Sequence, residues 1–248
     1  MKKVALYSLM IVPVLAAAMA LSAFSIIPGK SFNERIKGSG NVKSENRAAA
    51  GFSKISTGGV YHVVLTIGNE EKVRVDAEDN LLPYIETEVS RGRLDIHTKK
   101  GYSIEPKKDI TIYVTARAVT ELEASGASGI VTTNQIKGDE LKIGMSGATQ
   151  SKLNVAVKSL DINLSGATQL TLSGTASSAD FGVSGAANVK ATDLRAEEVN
   201  VGASGGSSVS VNAAKALNAS CSGGSQVRYK GEPVVNKSTS GGASVSRI

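Results

Sequence analysis

The chain has no tryptophan, one cysteine and two histidines among 248 residues, and aromatics make up only 4% of it. Each shortage excludes something. With Cys221 alone, no intramolecular disulfide can form, so stability must come from packing and hydrogen bonds even in an oxidising compartment. His62 and His97 have no cysteine partner and no ligand spacing, so no metal site is expected from them. Scarce aromatics leave a core of small and β-branched side chains in thin layers. They also remove the stacking platforms that single-stranded nucleic-acid binders use. The formal net charge of +6 is spread along the chain rather than clustered, which excludes a nucleic-acid partner. The one local concentration, KKGYSIEPKK, holds Lys99, Lys100, Lys107 and Lys108 around Tyr102 and reads as a solvated loop. No cofactor is expected.

Long apolar runs are equally rare, and the longest opens the chain: MKKVALYSLMIVPVLAAAMALSAF. Lys2 and Lys3 precede an apolar stretch that ends in small residues around Ala18, Ala20 and Ala23, the pattern of a secretory signal peptide over residues 1–23. An uncleaved anchor is the alternative, because the run is about long enough to cross a bilayer. Without a cysteine near it, lipid attachment by the bacterial lipoprotein route is excluded. The protein is therefore expected to be exported, to the periplasm, the outer-membrane surface or the medium. It would touch a membrane only through this segment if uncleaved. Removing Lys2 and Lys3 leaves 26 basic against 22 acidic residues.

What the chain has in abundance is glycine, 26 residues of it, and a phrase: LDINLSGATQLTLSG, residues 160–174. Two alternating apolar runs meet at Ser-Gly-Ala. Aligning on that pair gives Ser125-Gly126, Ser146-Gly147, Ser165-Gly166, Ser184-Gly185, Ser204-Gly205, Ser222-Gly223 and Ser240-Gly241, with steps of 21, 19, 19, 20, 18 and 18 residues. Such a period marks a repeat architecture. The residues one, three and five before each Ser share one face of a strand. From Leu141, Ile143 and Met145 through to Leu217, Ala219 and Cys221, all fifteen are apolar. Cys221 is thus expected as a small core residue. A second short strand follows each corner, with Leu170 and Leu172, Val189 and Ala191, Val209 and Val211, and Val227 and Tyr229 facing in. The coil at Ser146 departs by placing Ser151 at an apolar position, where a bulge would restore the facing. A third short segment closes each coil through a residue such as Val157 or Leu194.

About 19 residues are too few for a βαβ unit and enough for one turn of a β-helix, in which each coil pairs with those above and below. The expected fold is all-β, a parallel β-helix with about 19 residues per coil. Each Ser-Gly pair is a structural corner, with Gly accepting the positive φ or close approach a sharp turn needs. In the last repeat the facing residues are Val235, Lys237 and Thr239, and this polar substitution reads as an end cap. Residues 24–50 read as a polar linker. Residues 51–248 form the β-helix domain, divided into irregular N-terminal coils at 51–120 and regular Ser-Gly repeats at 121–248. In the irregular part, Tyr61, Val63, Leu65 and Ile67 alternate, as do Ile110, Ile112 and Val114, and ETEVSRGRLDIHT predicts a hairpin turning at Arg91-Gly92. These strands either continue or cap the apolar column; a separate small β-domain is the alternative.

GFSKISTGGVYHVVLTIG, DNLLPYIETEV and the serial SGA/SGG corners resemble the bacterial head GIN domain, described as the head of an auto-transporter adhesin. The resemblance covers roughly residues 45–248. It implies a right-handed, pectin-lyase-like β-helix without that superfamily's catalytic residues, and a role in cell adhesion. Handedness agrees with the rule for parallel crossovers. An auto-transporter needs a membrane barrel of eight or more strands, and none is expected after SGGASVSRI.

Enzymatic chemistry on such a scaffold would need clustered carboxylates on one exposed strand. The column four residues before each Ser reads Glu121, Lys142, Asp161, Asp180, Asn200, Asn218 and Asn236. Asp161 and Asp180 would lie one coil apart, either as a metal or acid/base pair or as a solvated face running into an asparagine ladder. With no third carboxylate, the ladder is preferred and no catalytic residue is assigned. The function expected is a non-enzymatic exported β-helix presenting a repetitive polar surface for cell adhesion or envelope interaction. Its unknown surface ligand would be a glycan or an envelope component. A carbohydrate-active enzyme and an envelope glycan- or lipid-binding protein are the alternatives.

Overall fold

A computed structural model describes residues 34–248, so the expected signal segment lies outside the described residues. Nine less regular strands come first: β1 (Glu34–Lys37), β2 (Val42–Arg47), β3 (Lys54–Gly59), β4 (Tyr61–Ile67), β5 (Lys72–Glu78), β6 (Ile85–Ser90), β7 (Arg93–Thr98), β8 (Tyr102–Glu105) and β9 (Ile110–Ala116). There follow β10 (Glu121–Gly126), β11 (Gly129–Thr132), β12 (Ile136–Met145), β13 (Gln150–Leu164), β14 (Gln169–Val183), β15 (Asn188–Ala203), β16 (Ser208–Cys221), β17 (Gln226–Lys230), β18 (Val234–Thr239) and β19 (Ser244–Arg247).

From β12 onward each coil lies parallel on the next in register: Leu141 faces Leu160, Leu160 faces Ala179, Ala179 faces Val199, and Val199 faces Leu217. The fold is a parallel β-solenoid with the expected period. All fifteen apolar residues before the corners are buried, at 0–4% exposure, so period-two patterning alone places the core. Ser151 corrects the expected bulge. It stays in register with Leu170 and points inward, and its Oγ accepts the backbone N–H of Ile130 at 3.0 Å. A hydroxyl is tolerated in the core because it takes up a donor that would otherwise be orphaned.

At the seven corners the glycine has φ between 68° and 78°. A side chain there would also press on the corner below. A Cβ at Gly166 would meet Gly147 O at 2.7 Å, and one at Gly147 would meet Gly126 O at the same distance. Backbone bonds thread the corners, as from Ala148 N to Gly126 O and from Ala167 N to Gly147 O, both 2.8 Å. The column extends one coil further than the repeat suggests. Ser125 and Gly126 lie opposite Gly58 and Gly59, an eighth corner in which glycine replaces the serine.

The irregular part differs in its connections. The β3–β4 coil pairs on one side with β7 and β9 and on the other with β10 and β11. A coil early in sequence is therefore sandwiched between two later ones. Antiparallel strands then close this end: β5 on β9, β2 on β5, and β6 on β7. The β6–β7 hairpin turns at Arg91 (φ 50°) and Gly92 (φ 75°), the two left-handed residues of a type I′ turn. One 17-stranded sheet system joins this region to the regular coils.

Two expectations are corrected here. Residues 34–47 are not linker throughout, because β1 pairs parallel with β8 and β2 antiparallel with β5. Their polar sequence fits edge strands, whose outer faces meet water. KKGYSIEPKK is likewise not all loop: Tyr102–Glu105 is β8, and the Tyr102 ring packs 4.6 Å from that of Tyr84. At the other end, Val235 is only partly buried and Thr239 is exposed. Lys237 reaches across to the carbonyl of Val245 at 3.5 Å.

Candidate functional site

Two faces of the solenoid carry outward columns in register. The first lies before the corners. Its main column runs from Arg93 and Lys54 through Glu121, Lys142, Asp161, Asp180, Asn200 and Asn218 to Asn236. Three amides form a polarised ladder. Asn236 Nδ2 donates to Asn218 Oδ1 at 3.0 Å, Asn218 to Asn200 at 2.8 Å, and Asn200 to Asp180 Oδ1 at 2.6 Å. Asp161 Oδ1 accepts from Asn163 Nδ2 at 2.9 Å. Asp180 thus accepts from the last amide of the ladder, whereas Asp161 accepts from Asn163 on its own strand, outside the column. Beside the ladder, Gly182 and Gly202 leave a shallow groove of about 600 Å³.

At the head of this column sits an ion-pair cluster. Glu121 meets Lys54 at 3.1 Å and Arg93 at 3.3 Å. The hydrogen bond from Lys54, with the charges of Lys54 and Arg93, holds its carboxyl below the usual glutamate range.

The second face follows the corners. One column runs Tyr113, Val64, Val131, Lys152, Thr171, Lys190, Ser210, Arg228 and Ser246. The neighbouring column carries Gln150, Gln169, Asn188, Ser208 and Gln226. A groove of about 400 Å³ lies over Val131, Lys152, Gln169, Asn188 and Lys190, with His62 at its rim. Tyr113 and Val131 are exposed apolar residues, and Arg74 lies 4.2 Å over the Tyr113 ring, a cation–π contact. These columns were missed from sequence, although Lys152, Lys190 and Arg228 each stand six residues after a corner serine. Their alternation with Thr171 and Ser210 hides the signal.

The two histidines are not brought together. His62 is exposed on β4, whereas His97 lies on β7 with Nδ1 3.6 Å from Glu86 Oε2. Cys221 is buried, and burial pushes its thiol pKa up. The corner serines occupy the turns between the two faces; Ser184 Oγ, for example, donates to Leu164 O at 3.3 Å.

A third feature, also missed, is a clasp at the N-terminal end. Glu78 is fully buried. Its carboxylate accepts the N–H of Gly40 and, at 2.9 Å, the N–H of Lys107. Any Cβ at Gly38 would fall 2.0 Å from Glu78 Oε2. Asp79 next to it accepts from Ser39 Oγ and Asn41 Nδ2, bonds that hold its carboxyl below the usual range. Asn80 bonds Ser39 N and Lys37 O. The run Glu78-Asp79-Asn80 thereby ties the turn between β1 and β2 to the solenoid.

Strands β3 to β17 and six of the seven Ser-Gly corners fall within the span of one family. Residues 51–233 match the family described as "Putative auto-transporter adhesin, head GIN domain". The chain belongs to the head GIN domain family. Among solved structures, a "putative adhesin" from Bacteroides fragilis aligns with a TM-score of 0.81 at 22% identity, covering 86% of this chain and 100% of its own. A "putative adhesin" from Parabacteroides merdae aligns at 0.72 and 22%, covering 87% and 99%. A "putative lipid binding protein" from Parabacteroides distasonis aligns at 0.70 and 25%, covering 87% and 100%. No curated protein matches the chain. These likenesses establish the shared solenoid across nearly all of the head GIN domain.

Proposed function

We propose that the protein is exported and that its solenoid is a non-enzymatic binding head, which engages a surface or envelope polymer in cell adhesion. One observation carries this reading: identical outward positions recur in register, coil after coil, on two faces. A ligand with its own repeat can then meet outward side chains at a constant spacing along one axis, and weak contacts add through multivalency. Membership of an adhesin-head family supports it. So does the engagement of Asp161 and Asp180 in amide hydrogen bonds rather than with a basic partner.

Deleting the gene should abolish attachment of cells to the surface or neighbour they colonise. Re-expressing either the wild-type chain or the Asp161→Asn/Asp180→Asn variant should restore it. In intact cells, added protease should remove the head. Unchanged attachment on deletion, or a head protected in the cell interior, would overturn the reading. Turnover of a polysaccharide by the wild type that the double variant loses would favour the enzyme.

A further inference from the structure

The face after the corners has a charge pattern that the adhesion reading does not use. From β9 to β19 its two outward columns contain no aspartate or glutamate. Its cations are Lys152, Lys190 and Arg228, all exposed, and no ion pair among the described residues involves them. They fall on every second coil, with Thr171, Ser210 and Ser246 on the coils between. The face before the corners is the opposite case, mixing Glu121, Lys142, Asp161 and Asp180 in one column.

Coils stack at about 4.8 Å, so the cations repeat at roughly 9.6 Å. That is close to the length of one disaccharide in an extended polysaccharide. The parallel amide column supplies donors and acceptors for sugar hydroxyls, and the exposed apolar Val131 adds a surface that suits a sugar ring face. We infer that this face binds an acidic polysaccharide lying along the solenoid axis, one anionic group per disaccharide on Lys152, Lys190 and Arg228 in turn. Single-stranded nucleic acid fits less well, since the stripe from Val131 to Ser246 offers no row of rings on which successive bases could stack. This inference rests on the binding-head reading and names its ligand class.

The test is a titration of the purified full chain with unsulfated chondroitin, which carries one carboxylate per disaccharide. Neutral dextran and oligothymidylate of equal charge are the comparisons. Chondroitin should bind, and should weaken as salt screens the contacts; dextran should not bind, and oligothymidylate should bind less tightly. Lys152→Gln/Lys190→Gln/Arg228→Gln should weaken chondroitin binding roughly tenfold or more, since three exposed charge contacts are lost together. Lys137→Gln/Lys158→Gln/Lys215→Gln removes the same charge elsewhere and should leave binding unchanged. All these residues are exposed, and equal unfolding midpoints would show that the fold is retained. The inference is overturned if chondroitin fails to bind or dextran binds as well. It is equally overturned if oligothymidylate binds more tightly, or if the two triple variants behave alike. Failure here with attachment intact on re-expression removes the acidic glycan and leaves the binding head standing; loss of both removes the head reading too.

Discussion

The irregular end of the solenoid, residues 34–116, and its regular coils, residues 121–248, solve the same problem with different means. The regular coils repeat one corner, and their stability lies in the vertical column of glycines and apolar side chains that every coil shares. The irregular end has no such uniformity. It closes the column with antiparallel strands and with side-chain bonds made once each: Glu78 to the β1–β2 turn, and the buried Tyr61 hydroxyl to Thr98 Oγ1 at 2.5 Å. Repetition suits propagation, whereas an end must be unique, since an uncapped coil would template further stacking.

The sharpest way to break this comparison is at a mid-column corner. Gly166→Val combines a left-handed φ of 77° with a Cβ pressed on Gly147 O, and should cost about 4 kcal/mol or more. Gly138→Ala, with ordinary φ and nothing within 4 Å, should stay within about 1 kcal/mol. Urea titration measures both. Labelling of the buried Cys221 thiol should become fast only in the first variant, because the coils above the broken corner open.

Next in size is the clasp. Glu78→Gln replaces an acceptor of two backbone N–H groups by an amide that turns one donor toward another, and should cost about 1–3 kcal/mol. Its mark is local: protease should cut within residues 38–48 while Cys221 labelling stays slow. Equal loosening at both ends would show that cap and column are one cooperative unit.

Smaller still is Asn218→Ala, which removes a ladder amide between Asn200 and Asn236. A loss of about 1 kcal/mol is expected for an exposed amide pair of this kind, read from the urea midpoint.

The least effect concerns acid. The folded Glu121 carboxyl is held below its ordinary value, chiefly by Lys54. Its stabilisation is complete above the ordinary glutamate range and is lost as pH falls through the lower, folded value. Being partly exposed, it should contribute under about 1 kcal/mol. Glu121→Gln should flatten the acid limb of stability against pH by that amount.

Much of the regular half was legible from sequence, because a fixed offset from each serine determines both the buried positions and the Asn200–Asn236 ladder. The second face stood at an equally fixed offset, yet Lys152, Lys190 and Arg228 alternate with hydroxyl residues and share no single chemistry along the column. The Gly58-Gly59 corner escaped because it lacks the serine on which the repeat is aligned. β1 and β2 escaped because edge strands with wet faces have the composition of a linker.

What the chain determined by itself is the period, the inward face and the corners, since alternation and glycine act within a few residues. What only the tertiary structure decided is the order of stacking at the irregular end, with β3–β4 placed between β7–β9 and β10–β11, and the buried site in which Glu78 finds its donors. Both depend on strands far apart in sequence competing for the same edge. Local propensity does not choose among such edges; the free energy of the whole packed assembly does.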